Sequence, residues 1–174
     1  DWKFSEKFTE EMLGDGFDVG NMTPVRLPHT VKETPLHYFD ESVYQMVSGY
    51  RRDVFIPEEW SGKRLLLTID GAAHESEVYW NGKKIGEHHC GYTAFTMDVS
   101  DDAIYGIRNT LVVKVDSRES VNIPPFGFVI DYMTYGGLYR EVWLDIKEKT
   151  YLKDVFVRGD LSGNTGRLIS EITA

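Results

Sequence analysis

Glu75 and Glu77 are the first residues whose type and spacing could do chemistry. Two positions apart on an extended strand they share a face, with Cα atoms roughly 7 Å apart. Retaining hydrolysis of a glycosidic bond needs two carboxyls about 5–5.5 Å apart, one of them with a raised pKa. The surrounding charges fit a solvated strand face beside a hairpin better than a catalytic pocket. His88-His89-Cys90 offers three metal-ligand types in a row. Adjacent strand residues face opposite ways, so only His88 and Cys90 could share a site, and no C-x-x-C or H-x-x-x-H partner completes it. Glu58-Glu59 and Asp101-Asp102 are turn pairs, and Asn21-Met22-Thr23 has the form of a glycosylation sequon.

The more informative stretch is residues 123–140, an apolar arm with prolines at 124 and 125 and glycines at 127, 136 and 137. Surface loops are ordinarily polar, so a long apolar one must be covered or must recruit a partner. Asp131 is its lone acid. An acid among aromatic rings is either paired internally, with Arg140 as the nearest candidate, or aimed at a ligand. A sugar would suit it: the C–H face stacks on a ring and the hydroxyls donate to the carboxylate. Trp80, Tyr92 and the aromatics between Phe126 and Tyr139 are the rings available for such stacking.

The elements that must position these residues read as strands. Residues 43–56 are rich in β-branched and aromatic residues and stop at Pro57. Residues 64–70 read as a strand buried on both faces. Residues 75–80 run into Asn81-Gly82 and then 83–86, which predicts a hairpin with a type I′ turn, since both turn residues tolerate positive φ. Further strands are predicted at 92–99, 109–116, 138–146 and 151–158, and only residues 6–13 look weakly helical. Recurrent strands with loops between them predict an all-β, two-sheet sandwich, with a jelly roll as the preferred topology. A boundary is placed near Glu148, giving units 1–148 and 149–174. Two strands bury no core alone, so 149–174 must dock on the sandwich or begin a second β-domain. The alternating residues 168–174 suggest a strand that continues in a longer chain.

The 174 residues suffice for one full-sized core. A formal net charge of −9 argues against nucleic acid or an anionic membrane as partner, and says nothing against a neutral sugar. No apolar run reaches the roughly 18 residues of a membrane span. Cys90 is the single cysteine, so no internal disulfide forms. That favours a reducing, cytoplasmic compartment and leaves a bacterial secreted or surface location open.

Ordered segments across the chain resemble glycoside hydrolase family 2, the β-galactosidases, β-glucuronidases and β-mannosidases. They are Val25-Arg26-Leu27-Pro28-His29; Gly49-Tyr50-Arg51-Arg52 leading to Ile56-Pro57-Glu58-Glu59-Trp60; Val78-Tyr79-Trp80-Asn81-Gly82-Lys83-Lys84-Ile85-Gly86; Gly91-Tyr92-Thr93-Ala94-Phe95; and residues 130–142, Ile-Asp-Tyr-Met-Thr-Tyr-Gly-Gly-Leu-Tyr-Arg-Glu-Val. The resemblance implies a galactose-binding-domain-like jelly roll at residues 1–148, with 149–174 as the first strands of an immunoglobulin-like sandwich. It implies a (β/α)8 barrel elsewhere in the parent enzyme, carrying the catalytic glutamates. No glutamate here matches the family's catalytic motifs, so no catalytic residue is assigned and the chain alone is expected to be inactive. Asp131 matches the acid that in relatives reaches the sugar, directly or through a cation. The expected ligand is a β-galactoside or related saccharide. The fragment is assigned no metal or cofactor, and a monovalent or divalent cation is left open for the parent. The position that touches substrate ahead of the Tyr50 strand falls near Gln45, where the residue type differs and no role is assigned.

Overall fold

The computed structural model describes residues 1–33, 40–124, 126 and 134–174. The strands are β1 (Trp2–Ser5), β2 (Thr23–Val25), β3 (Val47–Phe55), β4 (Arg64–Ile69), β5 (Glu75–Trp80), β6 (Lys83–His88), β7 (Phe95–Asp98), β8 (Arg108–Asp116), β9 (Val142–Lys147), β10 (Asp154–Ser162) and β11 (Thr165–Thr173). Short 3-10 turns are the only helical elements among the described residues, and none is long and apolar enough to cross a membrane.

Six strands form one antiparallel sheet in the order β2-β1-β3-β8-β5-β6, and three form a second in the order β7-β4-β9. The chain crosses between them repeatedly: β3 lies in the large sheet, β4 in the small, β5 and β6 in the large, β7 in the small, β8 in the large and β9 in the small. This is the all-β sandwich that the strand pattern predicts. Inward residues of both sheets meet in one core. Tyr50, Val78, Trp80, Leu111, Val113 and Val115 come from the large sheet, and Leu65, Leu67 and Ile69 from the small one. A second, smaller cluster covers the outer face of the large sheet, where Met12 and Met22 pack on Tyr79 and Val112.

Three local expectations need adjustment. β4 alternates rather than being buried on both faces: Leu65, Leu67 and Ile69 are buried, while Leu66 and Thr68 are half-exposed. The small sheet buries one face on the core, and Thr68 meets the Thr96 hydroxyl on the other at 2.8 Å. The strand expected from residue 43 begins at Val47, because Glu41–Tyr44 winds into a 3-10 turn whose Asp40 cap accepts from the Ser42 amide at 2.9 Å. Trp80 is not a sugar platform. It is buried in the core with its indole N–H donating to Asn109 Oδ1 at 3.2 Å.

The Asn81-Gly82 hairpin forms as the dipeptide requires, with φ of +50° and +80°. A register shift between Val78 and Tyr79 follows it. The hairpin of β10 and β11 pairs along its whole length from Asp154↔Thr173 to Ser162↔Thr165. Apart from half-exposed Ile169, its residues lie on the surface.

Candidate functional site

Asp131 lies outside the described residues, as do Tyr132 and Met133. What the structure describes is the scaffold from which that segment leaves and to which it returns. β3 starts, β8 ends, β5 starts, β4 ends and β9 starts at one pole of the sandwich, since Val47 pairs with Asp116, Glu75 with Asp116, and Ile69 with Val142. The loops between these ends gather there.

The returning chain is pinned by its backbone. Val31 N–H donates to Gly136 O at 3.1 Å, His29 N–H to Leu138 O at 2.8 Å, and Ala73 N–H to Gly137 O at 3.0 Å. These bonds draw the segment after β2 and the loop before β5 onto the same three residues. Gly137 has φ of +104°, a conformation open to glycine and strained for other residues. Beneath it the Tyr50 hydroxyl, wholly buried, pairs with His29 Nδ1 at 2.9 Å. Burial pushes the phenol pKa well above its ordinary value.

The departing chain is fixed by one backbone bond and several side chains. Ser117 N–H donates to Met46 O at 2.9 Å, and its hydroxyl reaches Tyr44 O at 2.5 Å. Arg118 grips Asp116 through two guanidinium nitrogens, at 2.8 and 2.5 Å. Glu119 N–H donates to Gln45 Oε1 at 3.0 Å. Gln45 thus supports the loop with its side-chain oxygen. Thr134, buried, donates its hydroxyl to Glu119 Oε1 at 3.0 Å. Tyr135 beside it is exposed and meets Tyr44 edge-on at 6.4 Å.

Below this rim sits His74, 3% exposed, with both ring nitrogens and the neighbouring Ser76 hydroxyl buried without a hydrogen-bond partner among the described residues; Glu119 Oε2 is in the same condition. Desolvation holds the imidazole pKa below its usual value, against the opposing pull of Glu119, Asp116 and Glu75. Sequence reasoning passed over His74 and Glu119. Neither sits in a motif, and the only signal was their flanking position, one before β5 and one between β8 and the apolar arm.

The other nominated residues do not converge on the pole as a reaction centre. Glu77 accepts from Lys114 at 2.8 Å and from the Tyr79 hydroxyl at 2.5 Å. These bonds pull its pKa to about 2, the opposite of what a proton donor needs. Glu75 takes His89 Nδ1 at 3.0 Å, and that contact raises the His89 pKa. His88 stacks on Phe95 at 4.4 Å and bonds Thr93 Oγ1 at 2.8 Å. Among the described residues no group of three His, Cys, Asp or Glu side chains is arranged to hold a metal ion. Glu58 and Glu59 open a 3-10 turn, and Asp102 pairs with Lys83 at 2.5 Å. Arg140 is exposed, with its guanidinium 5.5 Å from the Tyr139 ring centre. Tyr92 and Phe126 are exposed, and buried Trp80 drops out of the rings available for stacking.

Similarity to known proteins runs over the whole sandwich. The chain is 41% identical over 90% of its length to a β-galactosidase of Thermoanaerobacter pseudethanolicus, and covers 21% of that protein. It is 34% identical over 86% of its length to a β-glucuronidase of Bacteroides fragilis, covering 20% of it. Among solved structures, a β-glucuronidase from an uncultured Clostridium superposes with a TM-score of 0.81 at 25% identity, over 99% of this chain and 32% of the other. The Bacteroides uniformis β-glucuronidase does so with a TM-score of 0.78 at 27% identity, over 92% and 20%. The chain therefore spans about a fifth of the length of the curated relatives it matches. Residues 9–147 match the sequence profile described as glycosyl hydrolases family 2, sugar binding domain, and this chain belongs to that family.

Proposed function

We propose that the domain forms one wall of the sugar pocket of a retaining family 2 glycoside hydrolase acting on β-galactosides. The observation that carries the choice of sugar is the 41% identity with the Thermoanaerobacter pseudethanolicus β-galactosidase. On this reading Asp131 presents its carboxylate to the sugar hydroxyls from the segment anchored at Glu119 and Thr134. Bond cleavage belongs to further polypeptide of the parent enzyme, an immunoglobulin-like domain and a (β/α)8 barrel. Residues 1–148 are the sugar-binding unit, and 149–174 begin the immunoglobulin-like one. The fragment itself holds no cofactor on this proposal. A monovalent or divalent cation stays open for the parent enzyme.

The division of labour has a physical basis. A single wall with exposed Tyr135 and Tyr92 can contact one side of a small ligand, and a specific pocket buries most of its ligand. The complete polypeptide carrying this domain should hydrolyse an aryl β-galactoside, and residues 1–174 alone should not. Asp131→Ala in the complete enzyme should lower kcat/KM by orders of magnitude with an unchanged melting temperature. Unchanged turnover in that variant removes the role of Asp131. Preferred hydrolysis of an aryl β-glucuronide would favour the second reading, a β-glucuronidase, which the Bacteroides fragilis relative supports. Micromolar sugar affinity of the isolated chain in calorimetry would instead make it an autonomous carbohydrate-binding module.

A further inference from the structure

Two adjacent arginines of β3 have different fates. Arg51 is buried on the outer face of the large sheet and donates to Met12 O at 2.5 Å and Gly14 O at 2.8 Å. Arg52 faces the other way, as the next residue of a strand must. It is exposed, its guanidinium stands 5.8 Å from the centre of the Trp2 ring, and it forms no ion pair among the described residues. It lines a cleft of about 290 Å³ that opens between the two sheets. We infer that this cleft is a binding site for a small organic acid with an apolar body, a single ring or short chain ending in a carboxylate that Arg52 receives, independently of the role proposed for Asp131.

The floor of the cleft is the hydrophobic core itself. Trp2, Leu67, Trp80 and Leu111 line it, each no more than 3% exposed. Exposed Phe55 and Trp143 belong to the same lining. A hollow walled by carbon is poorly hydrated and takes up apolar molecules that fit it. Its volume lies at the lower end of ligand pockets, which leaves room for one ring.

The chemistry of the walls speaks against a saccharide. The indole N–H of Trp80 is already given to Asn109 Oδ1 at 3.2 Å, and that of Trp143 to Asp70 Oδ1 at 3.3 Å. Leu67 and Leu111 offer only carbon. A sugar would leave hydroxyls desolvated and unpaired there. Asp53 is the one acid of the lining. It follows Arg52 on the strand and so faces the outer side of the sheet, where it lines a second cleft with Lys3 and Arg108. Arg52 is left as the polar group on the near side. A guanidinium is a fork that matches a carboxylate with two parallel hydrogen bonds. The Trp2 ring steadies that fork before a ligand arrives, which lowers the ordering cost of binding.

The test uses residues 1–174 with phenylpropionate as the probe and its neutral amide as the counterpart. In a titration followed by backbone-amide NMR shifts, the acid should bind with a dissociation constant of about 1 mM or tighter, ordinary for a ligand of this size. The largest shifts should fall at Leu67, Leu111 and Leu144, which all line the cleft. The neutral amide should bind about tenfold more weakly, since it lacks the charge-assisted pair. Arg52→Met keeps an apolar stem against Trp2 and loses the fork. It should bring the acid down to the amide's affinity and leave the amide unaffected. Val142→Phe should fill the cleft and abolish binding of both; if that variant fails to fold, Arg52→Met decides alone. Equal affinity for acid and amide in the wild type, or shifts centred elsewhere, overturns the site. So does a longer polypeptide carrying this domain in which the acid no longer binds, because the cleft is then covered by the enzyme's own chain. Failure of the sugar reading would leave each of these results unchanged.

Discussion

The Tyr50 hydroxyl occupies the space that a β-carbon on Gly137 would need, so the buried ring and the glycine turn are fitted to each other. Gly137→Ala meets that hydroxyl and must also hold φ of +104°. The cost should be about 3 kcal/mol, from positive φ and overpacking together. Tyr50→Phe loses the His29 bond and should cost about 1–2 kcal/mol. The two changes relieve one another, so urea unfolding should find the double variant more stable than the sum of the singles. Strict additivity would mean that the two residues are not coupled.

Asn109 should be the costliest polar residue of the core to remove. Its Oδ1 accepts from Asn81 Nδ2 at 2.8 Å, Ile104 N at 2.8 Å and Trp80 Nε1 at 3.2 Å, while its Nδ2 donates to Ile104 O at 2.8 Å. Asn109→Ala orphans these groups together, and we expect a loss of about 3–4 kcal/mol in denaturant unfolding. A loss under about 1 kcal/mol would show that water replaces the amide at little cost.

Stability should fall with acid through His74. Its folded pKa lies below 6.5 because burial opposes the charge. As pH drops through 6.5 the unfolded chain takes the proton first, so the histidine's contribution is complete above 6.5 and shrinks as pH falls toward the depressed value. His29 and His88 act in the same direction and His89 in the opposite one. The comparison is therefore between wild type and His74→Gln. Melting temperatures from pH 7.5 to 5 should slope less steeply in the variant, and parallel slopes would refute the assignment.

Removing residues 153–174 should leave the sandwich intact. β10 and β11 bond to each other, and neither belongs to the two sheets that enclose the core. Differential scanning calorimetry of residues 1–152 should show a main transition within about 2 °C of that of the whole chain, since exposed positions contribute little. A large drop would mean that the hairpin braces the sandwich.

Local chemistry made much of the fold legible. Asn81-Gly82 announces its turn because the φ signs are a property of the dipeptide. The strands around Leu65, Val78 and Val113 announce themselves through apolar and β-branched content. Which face a ring takes depends on distant chain: Trp80 turns into the core, where Asn109, 29 residues on, receives its N–H. Asp40-Glu41-Ser42 held a readable cap that the apolar residues after it outweighed. The role proposed for Asp131 has family likeness as its only source in the sequence. His74 and Glu119 matter through burial and contacts across the pole, and spacing along the chain carries no trace of those.

The repeated crossing between sheets has a consequence for how the molecule comes into being. β4 must wait for β9, with Arg64 opposite Lys147, and β3 for β8, with Val47 opposite Asp116. Contacts so remote in sequence slow folding, typically to milliseconds or seconds. During synthesis the small sheet stays half-built until the ribosome has released the last of β9, and over that interval one edge of β4, from Arg64 to Ile69, has backbone groups without their partner strand, an edge a chaperone could shield.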